Sequence, residues 1–170
     1  MNMIDLFSGA GGLSLGLERA GFRSVLAVEN DPDASATYCN FFPQADLREC
    51  SIEGVDFRPF AGKVELLAGG PPCQPFSIGG KQLGVHDERN MIPQFVRALR
   101  EIGPPLFLME NVPGLASPAW RPYLEAFLQE VEGLGYNTCY RVVNAAAYGV
   151  PQKRRRLVIL GSRIVRPSFP

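Results

Sequence analysis

The chain has 170 residues, 46% hydrophobic and 20% charged, with a formal net charge of zero. These shares are those of a globular domain and exclude a disordered tail or a coiled coil. No apolar run reaches the ~18 residues of a membrane span, and the first residues carry neither a basic region nor a cleavage site. The length predicts a single domain over residues 1–170, burying about 70% of the surface that the unfolded chain exposes. Charge is unevenly placed: before Pro151 there are eleven basic and seventeen acidic residues. From 151 onward there are six basic residues and no acid, a distribution suited to a polyanion.

In chain order, residues 3–7 read as a strand. Apolar positions 13, 17 and 20 then mark one face of a helix that Gly21 ends. Residues 24–28 form a second buried strand. Asp31 followed by Pro32 is an N-cap and first-turn pair, opening a helix to about Asn40. A third strand precedes Asp46, and residues 63–68 make another. A helix over 92–102 stops at Gly103-Pro-Pro105, a strand covers 106–109, and a helix covers 121–134. Two last strands, 138–143 and 157–160, have no helix between them and are expected to be antiparallel. Alternating strands and helices predict a doubly wound, mostly parallel α/β sheet. Ligands of such sheets bind beyond the carboxyl ends of the strands.

The informative residues fall at those ends. Ser8-Gly-Ala-Gly-Gly12 follows the first strand, where glycines permit tight turning and close approach of a ligand. A dinucleotide fingerprint would need glycine at Ser14, so a pyrophosphate cradle is disfavoured. Glu29 ends the second strand, where an acid can take both hydroxyls of a ribose. Asp46 is placed to bond an adenine amine. Cys73, within Gly69-Gly-Pro-Pro-Cys-Gln-Pro-Phe-Ser77, is either a nucleophile on a rigid turn or a small buried thiol. Glu110 follows the next strand at the same edge and is a plausible proton donor to a ring nitrogen. Gln152-Lys-Arg-Arg-Arg156 lies between the last two strands. Alternate side chains there can point into a cleft and out to phosphates. Cys39, Cys50, Cys73, Cys139 and the single His86 lack the spacing of a zinc site, so no metal is expected. Four scattered cysteines without an export signal read as reduced thiols in the cytoplasm.

Taken in order, Asp5-Leu-Phe-Ser-Gly-Ala-Gly-Gly12, Glu29-Asn-Asp31, Gly70-Pro-Pro-Cys-Gln-Pro-Phe-Ser77, Glu110-Asn-Val112 and Gln152-Lys-Arg-Arg-Arg156 strongly resemble the DNA cytosine-5 methyltransferases. The match runs from residue 3 to about 162. The resemblance implies a Rossmann-like methyltransferase core that uses S-adenosylmethionine and acts on double-stranded DNA in the bacterial cytoplasm, within restriction–modification. It implies that Cys73 attacks carbon 6 of a flipped cytosine and that Glu110 holds the ring at N3 and N4. Arg154 and Arg156 would contact the base and its phosphates. Phe7, Gly9, Gly11, Glu29, Asn30, Asp46, Pro71 and Ile92 would hold the cofactor. Residues 77–90 resemble the family's loop that closes over DNA.

Family members continue with a target-recognition region and a closing helix beside the first strand. The reading is therefore of a fragment, a truncated product or one subunit of a split enzyme. A complementary subunit would be its partner, and an apolar patch would lie open near the first strand. The rival readings are a transfer-RNA cytosine-5 methyltransferase, a binding subunit without catalysis and, more remotely, an NAD(P) oxidoreductase. Pro-Cys-Gln-Pro-Phe-Ser counts against the first, intact Cys73, Glu110 and Arg154 against the second, and Ser14 against the third.

Overall fold

A computed structural model describes residues 1–72 and 90–170. The described residues hold seven strands and four helices, in two compact units. The first unit comprises Met1–Gly70 and Pro93–Phe107, and the second Pro71–Ile92 and Leu108–Pro170.

In the first unit, β1 (Asn2–Leu6), β2 (Arg23–Glu29), β3 (Asp46–Glu49) and β4 (Leu66–Gly69) pair in parallel, in the order β3-β2-β1-β4. Parallel pairing follows from the helices between strands. After β1, α1 (Gly12–Arg19) crosses to β2, and α2 (Pro32–Phe41) crosses from β2 to β3. The order reverses between β1 and β4, and that switch is where doubly wound sheets bind ligands. Met3, Ile4, Asp5 and Leu6 are all completely buried, as expected of a central parallel strand covered on both faces. Among the described residues, the side chains of β1 from Met3 to Leu6 therefore present no open apolar surface. The exposed large apolar side chains near this strand in sequence are Met1 just ahead of β1, Leu15 on α1 and Phe41 on α2.

Two further features organise this unit. Gly69 ends β4 where a side chain could not fit: a Cβ there would lie 2.8 Å from the Leu6 carbonyl oxygen and 3.2 Å from Phe95. Phe95 belongs to α3 (Ile92–Ile102) and meets Phe107 edge-on at 6.0 Å between ring centroids. On the same helix Arg97 donates to the Ile52 and Val55 carbonyls at 2.8 and 3.0 Å and pairs with Glu101, pinning the irregular stretch after β3. β4 starts three residues later than the apolar run suggests, because the Lys63 amide still closes a turn onto the Phe60 carbonyl.

β5 (Leu106–Asn111) begins in the first unit and ends in the second. The second unit orders its strands β5-β7-β6, with α4 (Arg121–Gly133) between β5 and β6 in sequence. β6 (Asn137–Asn144) and β7 (Arg155–Ser162) are antiparallel, paired from Asn137 with Ser162 to Asn144 with Arg155. Both strands are longer than their apolar stretches. Backbone pairing propagates through the polar Asn144 and Arg155, which hydropathy cannot register. Leu124, Phe127 and Val131 of α4 and Leu157 and Ile159 of β7 are among this unit's buried side chains. No described helix is long and apolar enough to cross a membrane.

Candidate active site

At the switch point of the first unit, the residues after β1 form a turn with left-handed backbone at Phe7 (φ 58°), Gly9 (φ 53°) and Gly11 (φ 89°). Phe7 is the only such non-glycine among the described residues, the kind of local strain that clusters at binding sites. Glu29, at the carboxyl end of β2, organises this turn. Its Oε2 accepts the Gly9 amide at 2.8 Å, and its Oε1 accepts the Asn30 and Asp31 amides, each at 2.9 Å. One carboxylate therefore joins the glycine turn to the start of α2. Asp31 caps that helix by accepting the Ala34 amide at 2.8 Å. Phe7, Gly9, Glu29 and Asn30 are thereby brought together. Gly9 faces open space, with nothing within 4 Å of a Cβ built on it.

Gly11 has another reason to be glycine. A Cβ on it would fall 2.4 Å from Phe42 and 3.0 Å from Tyr38, whose rings pack at 4.6 Å. Gly9 leaves room beside the backbone, whereas Gly11 accommodates the aromatic pair at the end of α2. Ser14, at the place of the missing third glycine, is wholly buried, with its Oγ 2.6 Å from Asp5 Oδ2 and 2.9 Å from the Tyr38 hydroxyl. Burial pushes the Asp5 carboxyl up to about 6, against the lowering effect of its Ser14 hydrogen bonds; the Glu29 charge adds a smaller upward push.

Asp46 is displaced from its expected place. It opens β3 instead of following it, because the strand runs Asp46–Glu49. In the register, Asp46 lies beside Leu26 and Glu49 beside Glu29. The carboxyl end of β3 thus presents Glu49 and then Cys50, whose amide donates to the Glu29 carbonyl at 2.9 Å. Asp46 instead pairs with Arg48 at 3.4 Å in solvent. The weak apolar content of β3 hid its limits, and only pairing with β2 reveals which acid stands at the ligand edge.

The second unit gathers the other group. Glu110 is within β5, one strand position earlier than the sequence suggests, and alternation puts it on the opposite face from buried Met109 and Asn111. Its Oε1 lies 2.7 Å from Nε of Arg156, with both side chains about 30% exposed. Arg155 and Arg156 open β7 and do not sit in the connection; the added strand length turns Arg156 toward Glu110. Arg154 remains in the connection and is exposed, its carbonyl accepting the Ala145 amide. Asn111, which the sequence did not single out, donates from Nδ2 to the Pro71 carbonyl at 3.2 Å. Pro71 and Ile92 are both buried. Asn90 and Tyr123 are joined by hydrogen bonds at 2.8 and 3.1 Å. Cys73, His86 and, but for Asn90, the expected loop over 77–90 lie outside the described residues. Cys39, Cys50 and Cys139 are free thiols. Among the described residues no group of three or more histidine, cysteine or acidic side chains could hold a metal ion.

The set at the first unit's carboxyl edge suits an adenosyl group. It offers an acid at a strand end for a diol, an open backbone turn and no third glycine for a pyrophosphate.

A family model described as C-5 cytosine-specific DNA methylase matches residues 1–167. The chain is 49% identical over 164 residues to the Type II methyltransferase M.PspPI of Psychrobacter sp., covering 95% of this chain and 39% of that protein. A crystal structure of a prophage-encoded Escherichia coli protein described as a DNA modification methyltransferase superposes with a TM-score of 0.81 at 34% identity, over 95% of this chain and 46% of that one. Spodoptera frugiperda DNMT2 superposes with a TM-score of 0.77 at 26% identity, over 95% of this chain and 50% of that one. The chain thus spans about two fifths of that curated relative and about half of these structures.

Proposed function

We propose, from the premise that this chain belongs to the C-5 cytosine-specific DNA methylase family, that it is a catalytic core for methylating carbon 5 of cytosine in DNA. The observation that carries the reading is the 2.7 Å pair between Glu110 and Arg156, which unites two of the sequence motifs in one charged cluster. In the proposed reaction Cys73, as thiolate, adds to carbon 6 of a cytosine taken out of its duplex. Glu110 hydrogen-bonds N3 and N4, favouring the electron-rich ring that the addition creates. Arg156 holds the Glu110 carboxylate in place, and Arg154 meets the DNA backbone. S-adenosylmethionine, when bound, supplies an electrophilic methyl group on its sulfonium. Carbon 5 would take that methyl, the sulfur keeping the bonding pair as a thioether, and would then lose its proton to water. Expulsion of the Cys73 thiolate restores the ring double bond and frees the enzyme.

The cofactor is assigned to Phe7, Gly9, Glu29 and Asn30 of the first unit; the expectation for Pro71 and Ile92 falls on buried residues of the second. At the third strand, Glu49 takes the place first given to Asp46, because it stands at the carboxyl end beside Glu29. Gly11 supports the turn from the α2 side. Restriction–modification in a bacterial cytoplasm is the setting that the Type II relatives suggest for it.

The test is a covalent trap. Duplex DNA containing 5-fluorocytosine, incubated with protein and S-adenosylmethionine, cannot lose its carbon-5 substituent and should leave a protein–DNA adduct stable to denaturation. Cys73→Ser should give none, whereas Cys39→Ser, Cys50→Ser and Cys139→Ser should retain it. An adduct from the Cys73→Ser protein overturns the nucleophile assignment.

A further inference from the structure

The turn at residues 7–12 is held from behind by a string of side chains that no step above employs. Tyr38 is completely buried, with its hydroxyl 2.9 Å from Ser14 Oγ and 2.8 Å from Ser24 Oγ. Ser14 Oγ donates to Asp5 Oδ2 at 2.6 Å. Each hydroxyl has one hydrogen, and this fixes the direction of the string. Ser14 spends its hydrogen on Asp5, so it accepts from Tyr38, and Tyr38 accepts from Ser24. The string thus runs Ser24 to Tyr38 to Ser14 to Asp5, joining β2, α2, α1 and β1. Those four elements bound the turn that carries Phe7 and Gly9 and the strand end that carries Glu29. The Tyr38 ring also occupies the space beside Gly11, and Gly11 gives α1 no side-chain cap.

The geometry points to Tyr38 as a positioning residue for cofactor binding, setting the conformation of the turn at residues 7–12 through Ser14 and Asp5. This rests on the reading that the turn holds the S-adenosyl group. Asp5 faces Ser14 from α1, Glu29 from β2 and Tyr38 from α2, with Glu18 of α1 acting on Tyr38. Its strand neighbours are Ala27 and Ala68, which bring no charge. Asp5 Oδ1 is buried without a hydrogen-bond partner, so the Ser14 bond is the one that ties this carboxyl to the string. As pH falls through about 6, Asp5 gains a proton and becomes a poorer acceptor for Ser14. The hold on the turn should weaken over the same interval, although the fold as a whole gains there, because burial disfavours the ionised carboxyl.

The experiment titrates S-adenosylhomocysteine into the full 170-residue chain between pH 5 and pH 8, with binding followed by ligand-observed NMR and thermal unfolding recorded alongside. Tyr38→Phe keeps the ring and removes the hydroxyl; it should weaken binding about fivefold or more, the effect of a lost hydrogen bond. Ser24→Ala removes one bond at the far end of the string and should weaken binding less, although the loss in thermal stability should be similar. The unaltered chain should show affinity falling below about pH 6, and Asp5→Asn should abolish that step. Equal losses of affinity in Tyr38→Phe and Ser24→Ala would mean a merely structural string and overturn the proposal. An unchanged pH step in Asp5→Asn would do the same, and this comparison decides the matter if Tyr38→Phe does not fold. No saturable binding by the unaltered chain at millimolar ligand would instead overturn the assignment of the cofactor to this turn, and the proposal with it.

Discussion

Glu29 shows how much one side chain can organise. Its two oxygens accept three backbone amides, from Gly9, Asn30 and Asp31, and it ends the strand next to the switch point. One lone pair remains, on Oε2, to which a ribose hydroxyl would donate, so the same carboxylate would shape the pocket and bind in it. Hydrogen bonds to a charged group are worth roughly 1.5–3 kcal/mol each. Glu29→Ala should therefore weaken S-adenosylhomocysteine binding at least tenfold, by calorimetry, while duplex DNA binding changes little. Undiminished cofactor affinity would leave Glu29 as a backbone organiser alone. The place of Glu29 at the end of β2 was legible in the sequence because it directly follows the apolar run that marks the strand. Glu49 was not, because its strand is four residues long with Leu47 its single apolar residue, and its register with Glu29 exists only in the folded sheet.

At the scale of elements, α2 determines the form of the turn. Its Tyr38 and Phe42 rings press where a side chain on Gly11 would stand, and they sit in a cluster with Ala27, Ala45 and Leu47 that leaves the rings little room to yield. Gly9 has a similar left-handed backbone but open space around it. The two glycines should differ on substitution. Gly9→Ala bears the backbone penalty alone, about 1–2 kcal/mol. Gly11→Ala adds overpacking, for a total of about 2–5 kcal/mol. Urea unfolding of the two variants measures this, and a smaller loss for Gly11→Ala would mean that the ring pair moves aside readily. The glycines were visible in the sequence, but their separate reasons were not: a helix some thirty residues onward supplies one of them.

For the whole molecule, the basic end raises the question of what the 170 residues can do with DNA. Arg154 and Arg155 are exposed, whereas Arg156 is engaged by Glu110. Arg141 is turned to the terminal segment, with its guanidinium over Phe169 and donating to the Pro170 carbonyl. Exposed cations on a strand end meet phosphates, which carry no sequence information. Residues 1–170 alone should therefore bind duplex DNA with affinity that falls steeply as salt rises and with no preferred site. Fluorescence anisotropy with unrelated duplexes, from about 50 to 200 mM salt, would show this. A defined site preference by this chain alone would place base-edge readout within the 170 residues.

Local chemistry that repeats or punctuates was readable from the sequence by itself. The alternation of strands and helices, the Asp31-Pro32 helix start, the helix over 92–102 and the antiparallel final pair all stand in the structure. They follow from hydrophobic period and turn residues, which act over a few positions. The motif order also sufficed to indicate the family, because residue types held at fixed places by reaction chemistry survive as a pattern in one dimension. Only tertiary structure decided that Asp46 stands at the wrong end of its strand, that Arg156 and not Arg154 meets Glu110, and that Ser14 belongs to a buried string with Asp5, Tyr38 and Ser24. Each of these depends on register or on contacts between residues far apart in the chain. Strand register is set by the burial and backbone pairing of the whole sheet, a constraint that no local stretch of sequence contains.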